Sequence, residues 1–141
     1  MSGDWTDAWE TQYSVSGGTR PIVVSYATSP PAEVVFSNGK VTEPRTRVVT
    51  STCADQVEFA GVLRGTAHPE EARKVLNAML GAEWQASQPL TNFVYPVRAG
   101  VPLPDVFTKF AVRPEQTITL DPVTVDENRD AWIGQWRSIV E

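Results

Sequence analysis

Residues 56–97 constrain the fold of this chain more than any other stretch, because three different backbone patterns follow one another there without a break. Residues 56–63, Gln-Val-Glu-Phe-Ala-Gly-Val-Leu, are rich in β-branched and aromatic side chains and are bounded by Asp55 and Gly65, which predicts a strand at least half buried. Over residues 69–80, Ala72, Val75, Leu76, Met79 and Leu80 recur at helical spacing, while Glu70, Glu71, Arg73, Lys74 and Asn77 fall on the other side. This spacing predicts an amphipathic helix laid on a sheet. Pro69 suits the first helical position, the charges of Glu70 and Glu71 favour the positive helix end, and Gly81 can end the helix. Residues 88–97, Gln-Pro-Leu-Thr-Asn-Phe-Val-Tyr-Pro-Val, have prolines towards both ends and predict an ordered loop rather than a helix. Two aromatics and an Asn make that loop a candidate binding segment.

With 141 residues the chain has the length of one domain of ordinary size. Its 41% hydrophobic and 21% charged residues and net charge of −5 fit a globular protein and argue against a nucleic acid partner or an anionic membrane. No run approaches the length of a membrane span, and Met1-Ser2-Gly3-Asp4 lacks the charged-then-apolar start of a signal peptide, so any targeting segment is expected outside this chain. One Cys and one His leave no internal disulfide and no zinc cluster. Cys53 and His68 as nucleophile and base are disfavoured, because no third orienting group accompanies them. No paired-carboxylate, phosphate-loop or metal-ligand motif is present either, which argues against an enzyme.

From the start, Trp5, Ala8, Trp9 and Tyr13 form a short helical stripe with Asp4 in cap position and Asp7 in the first turn. Core packing and ligand stacking both fit two tryptophans there. After a turn at 14–18, residues 21–26, Pro-Ile-Val-Val-Ser-Tyr, read as a buried strand that turns polar at Ser25. Residues 27–33 follow at once, with Ser29 able to cap a helix and Pro30 suited to its first position. A strand ending directly into a helix start is where open α/β sheets bind ligands and where free backbone N–H groups can hold an anion. A turn at 37–40, a strand at 47–52, a short helix at 105–111 burying Val106, Phe107 and Phe110, and a last helix complete the reading. Asp121 caps the last helix, Pro122 opens it, and Trp132, Trp136, Ile139 and Val140 give it a packing face.

In order along the chain stand Gly-Asp-Trp-Thr-Asp-Ala-Trp, Val-Val-Ser-Tyr-Ala-Thr-Ser-Pro, Gln-Val-Glu-Phe-Ala-Gly-Val-Leu-Arg-Gly-Thr, His-Pro-Glu-Glu-Ala, Thr-Asn-Phe-Val-Tyr-Pro-Val and Ala-Trp-Ile-Gly-Gln-Trp. This succession resembles the thiamine-binding periplasmic proteins of ABC importers, in the type 2 periplasmic binding protein superfamily. The resemblance implies an α/β fold of two lobes joined by a hinge, with thiamine or its phosphates bound between the lobes. Members are about twice as long or more, so it implies that this chain is a C-terminal part with incomplete sheets and flanking helices. Residues 1–52 would then hold elements of the second lobe, and residues 53–141 the crossover back to the first lobe and the C-terminal helices. Strands inherited without their neighbours would leave open edges and uncovered apolar surface.

Thiamine joins a permanent thiazolium cation to a flat pyrimidine, so a site needs π faces and polar groups. Trp5, Tyr26, Phe93 and Tyr95 supply faces, and Ser25, Thr28, Ser29 and Asn92 supply polar contacts. By resemblance Trp5 and Tyr26 match cleft positions, and residues 92–95 match a family segment usually written Asn-Trp-Met-Tyr, in which Phe93 replaces the tryptophan. The resemblance implies no catalytic role, no metal and no cofactor, since thiamine is the transported ligand. It implies permease subunits and an N-terminal lobe as partners, in the periplasm or an equivalent extracytoplasmic space. The alternatives are a related binder of iron, polyamine or phosphonate, or a non-functional truncated fragment. Iron is disfavoured because Tyr26 has no adjacent tyrosine.

Overall fold

The computed structural model describes residues 4–140, the side chain of Val140 excepted. Gly3, which opens the first resemblance motif, and Glu141 lie outside the described residues, as does the Val140 contribution to the last helical face. The chain divides into two units. Residues 4–25, Val49–Asp55 and 114–140 build one, while Tyr26–Val48 and Gln56–Arg113 build the other.

In the first unit, α1 (Trp5–Asp7) starts at Asp4, whose Oδ1 accepts the Asp7 N–H at 2.8 Å. The helix then widens into a π turn over Ala8–Gln12, closed by the Tyr13 N–H on the Ala8 carbonyl at 3.0 Å. Spacing by four residues piles the rings of one face on each other. Trp5 and Trp9 stack at 5.7 Å between centroids, Trp9 and Tyr13 meet at 5.4 Å, and Tyr13 is buried. The turn after Tyr13 closes through Gly18, where a Cβ would sit 2.1 Å from the Gln12 carbonyl oxygen, so only glycine fits. Tyr13 and Arg20 form one isolated β-bridge, Ala54 and Ile118 another. The last helix of this unit, Pro122–Val140, is capped as expected: Asp121 Oδ2 accepts from the N–H and the hydroxyl of Thr124, both at 2.9 Å. Its expected packing face is uncovered instead, with Trp136 62% and Ile139 76% exposed.

The second unit holds α2 (Ser29–Phe36), α3 (Pro69–Met79), α4 (Ala82–Thr91) and α5 (Asp105–Phe110), so the long helix of the first unit is α6. Here α2 packs on α5 and α3 on α4. Phe107 of α5, only 1% exposed, is the centre of the packing, with Pro31 and Pro89 also fully buried. Gln85 replaces apolar packing by hydrogen bonding. Its buried amide donates to the Met79 carbonyl at 2.8 Å and accepts the Val97 N–H at 2.8 Å, tying the end of α3 to the segment after α4.

Three further expectations need correction. The sheet of the expected α/β plan is absent from the described residues, which contain two isolated bridges and no strand. Residues 21–26 and 56–63 run unpaired, with Ile22 79%, Val24 90% and Phe59 92% exposed, and residues 50–52 of the third run form a 3₁₀ turn. The reason is pairing: a strand is stabilised by cross-strand hydrogen bonds and side-chain pairs, and β-propensity without a partner supplies neither. Residues 88–91 are helical rather than loop, because Pro89 sits near the end of α4, where it removes a single backbone bond and buries its ring. Lastly, α2 takes Thr28 as its cap residue, without a side-chain cap bond, and Ser29 lies inside the helix, so Pro30 follows the first position instead of filling it.

Phe107→Ala should lower the stability of the second unit by about 3 kcal/mol, the usual cost of an emptied aromatic core position. Urea unfolding followed by circular dichroism checks it, and an unchanged midpoint would remove Phe107 from the core.

Candidate functional site

The predicted site residues fall in both units. In the first, the indole N–H of Trp5 donates to Ser25 Oγ at 3.1 Å, which fixes one edge of the ring while the side chain stays 47% exposed. This joins two predicted residues twenty positions apart. The other six belong to the second unit.

Tyr26 is 61% exposed and precedes α2, whereas Thr28 and Ser29 are buried at the start of that helix. Backbone donors for an anion are scarce there. The Ser29 N–H is committed to the Tyr26 carbonyl at 3.0 Å, and Pro30 and Pro31 have no N–H. The helix start therefore lacks the N–H cluster that holds phosphates elsewhere.

Residues 92–95 leave α4 through a strained bend. Asn92 ends the helix with its N–H on the Gln88 carbonyl at 2.9 Å, and its side-chain amide donates to Gln88 Oε1 at 2.7 Å. Phe93 follows with φ +53, a left-handed conformation that glycine fills at most helix ends and that is uncommon for a bulky side chain. The half-buried ring compensates by contact: its centroid lies 5.0 Å from Phe36 and 6.2 Å from Phe107. Tyr95 sets its edge against Phe107 at 5.8 Å, and Arg113 places its guanidinium 5.3 Å from the centroid of the Tyr95 ring. Burial pushes the Tyr95 phenol up from its ordinary range, and the Arg113 charge offsets part of that rise, so the ring is neutral at physiological pH. Sequence reasoning missed Arg113 and Gln85, since neither stands in a motif and their partners are remote in sequence.

An open cleft of about 300 Å³ lies elsewhere in this unit, lined by Pro30, Pro44, Thr46, Arg47, Lys109 and Phe110 among others. None of the predicted site residues lines it. Its polar wall is structural: Arg47 donates to the Pro44 carbonyl and to the Thr46 carbonyl at 2.8 Å. Beside it Glu33 gathers the Thr46 N–H at 3.0 Å, the Thr46 hydroxyl at 2.9 Å and Arg45 Nε at 3.1 Å. Burial alone would raise the Glu33 carboxyl, but these hydrogen bonds from Thr46 and Arg45 outweigh it and hold the group below the usual carboxylate range. Among the described residues no group of three or more His, Cys, Asp or Glu side chains could hold a metal ion.

A lowered carboxyl pKa contributes stability that is complete above the unfolded value and is lost as pH falls through the folded one. The second unit should therefore lose stability below about pH 4, the ordinary glutamate range. Glu33→Gln should be less stable at neutral pH and flatter in its acid response, as urea midpoints across pH would record. Parallel acid responses in the two proteins would contradict the role of Glu33.

The chain is similar to proteins described as "Thiamine-binding periplasmic protein". That of Escherichia coli (strain K12) is 31% identical over 140 residues, covering 96% of this chain and 40% of the relative. That of Salmonella typhimurium (strain LT2) gives the same figures, and that of Brucella melitensis biotype 1 is 30% identical over 133 residues, covering 93% and 39%. This chain thus spans about 40% of the length of the curated relatives it matches. No protein-family model and no solved structure matches it.

Proposed function

We propose that this chain is the C-terminal part of the extracytoplasmic solute-binding component of an ABC importer, and that the whole protein binds thiamine or its phosphates for delivery to a permease. One observation carries this reading: identity of about 30% maintained over at least 93% of the chain with relatives named for thiamine binding and for the periplasm. Those relatives are named as binding proteins, which supports transport rather than catalysis. Among the described residues no helix is long and apolar enough to cross a membrane. In the whole protein the unpaired runs would complete an α/β sheet with neighbours from the first lobe.

For the ligand contacts we assign Trp5 and Tyr26 as π faces, with Asn92 and Ser25 as polar groups. Phe93 and Tyr95 frame the same segment through their contacts with Phe107, while buried Thr28 and Ser29 shape the start of α2. The exposure of Tyr26 supports its role, because an uncommitted phenol ring is what a thiazolium cation stacks on. The committed and missing backbone donors at α2 favour thiamine over its phosphates.

Tyr26→Ala should weaken thiamine binding by about 1 kcal/mol or more through lost stacking and cation–π contact. Calorimetric titration of the longest product of the gene that carries this chain checks it. Unchanged affinity in the variant removes Tyr26 from the site, and no thiamine binding by the parent protein overturns the ligand. In the same assay Phe93→Trp should tighten binding if the ring faces ligand. A fall in stability without a gain in affinity would instead make Phe93 a packing residue of the Phe36–Phe107 cluster, where a larger ring overpacks.

A further inference from the structure

The largest stretch of uncovered apolar chain in the second unit is 56–63, where Val57 is 59%, Phe59 92% and Leu63 81% exposed. No backbone group of residues 56–62 is hydrogen-bonded to backbone elsewhere in the described residues. Such a run is a strand template without a partner. Its alternation separates two faces when extended: Val57, Phe59, Gly61 and Leu63 on one, Glu58, Ala60, Val62 and Arg64 on the other.

We propose that in the 141-residue chain by itself, where on the proposed function no first-lobe strand covers this edge, residues 58–64 pair antiparallel with the same segment of a second copy, about a twofold axis at Gly61. The sequence itself selects both partner and register. Residues directly opposite in an antiparallel pair lie on the same face, so only registers that oppose odd with odd positions keep the two apolar faces together. Among those registers, only the one centred on Gly61 sets Glu58 against Arg64 of the other copy, and twofold symmetry makes that ion pair twice. The same register sets Phe59 against Leu63 and Ala60 against Val62. A register displaced by two residues would oppose Phe59 to Gly61 and Glu58 to Val62, losing both the ring contact and the charge pairs. Parallel pairing in register would oppose Glu58 to Glu58 and Arg64 to Arg64, which repels. Each paired strand keeps a second open edge, so the dimer is the first step of an association that grows with concentration.

Sedimentation velocity of the 141-residue chain over a wide range of concentration tests this. The wild type should associate reversibly. Glu58→Arg and Arg64→Glu should each weaken association about tenfold, since both ion pairs of the dimer become like-charge pairs. An equimolar mixture of these two variants should associate again, because in the mixed dimer position 58 of each copy once more faces the opposite charge at position 64 of the other. The double exchange E58R/R64E should self-associate as the wild type does. At concentrations where each protein is monomeric, circular dichroism should be the same for all of them, as both side chains are exposed. A wild type that stays monomeric at every concentration overturns the proposal. So do single variants that associate as tightly as the wild type, or a mixture that remains dissociated.

Discussion

Every backbone N–H and C=O must find a partner, and this requirement divides the chain into what is ordered locally and what waits for a neighbour. Helices meet it within their own turns, so α2 to α6 form from the sequence that encodes them. Strands meet it only across a gap to another segment, and the runs at 21–26 and 56–63 have β-rich sequence but no paired segment among the described residues. What remains is helical packing around Phe107 in one unit and a ring stack on Tyr13 in the other, with much of the apolar sequence left facing outwards.

The legible features of the sequence are the ones written in neighbouring residues. Asp4 and Asp121 act as caps because a short carboxylate reaches the N–H three positions on, a contact readable from spacing alone. The stripe of Trp5, Trp9 and Tyr13 follows in the same way from helical periodicity. Pairing partners have no such trace, so the expected strands carry a correct propensity and an absent context. Gln85 is the clearest residue that pattern reading does not reach. It looks like one more polar position on α4, yet its buried amide connects Met79 to Val97, positions brought near by the turn at Gly81 together with the bend after α4. Gly81, legible as the end of α3, also opens α4.

The candidate site is legible as a set of residue types and not as an arrangement. Trp5 and Ser25 meet by a hydrogen bond that no local pattern announces. Thr28 and Ser29 are drawn inside by Pro30 and Pro31, whose rings bury as α2 packs on α5, so polar identity alone overstates their access to a ligand. Phe93 occupies a backbone conformation that costs energy for a bulky residue, and strain of this kind persists only where surrounding contacts hold it. Phe36 and Phe107 provide those contacts. Packing thus holds the bend at 92–95 without a ligand, which on the proposed function would suit a binding segment because less order has to be imposed on binding.

Charge gives the second unit a preference as well. An anion would look for backbone N–H groups at the start of α2 and meet two prolines and a committed Ser29. A cation would look for π faces, and Tyr95 already receives one from the chain itself: Arg113 stands over its ring. That contact demonstrates the kind of partner the ring accepts, and it also occupies the face, so a ligand cation would have to displace Arg113 or turn to another aromatic. Tyr26 has no ring or cation partner among the described contacts and keeps most of its surface open. On the proposed function, the balance of donors and faces would direct a flat cation to Tyr26 rather than to Tyr95, and would offer a phosphate no equivalent backbone cradle at α2.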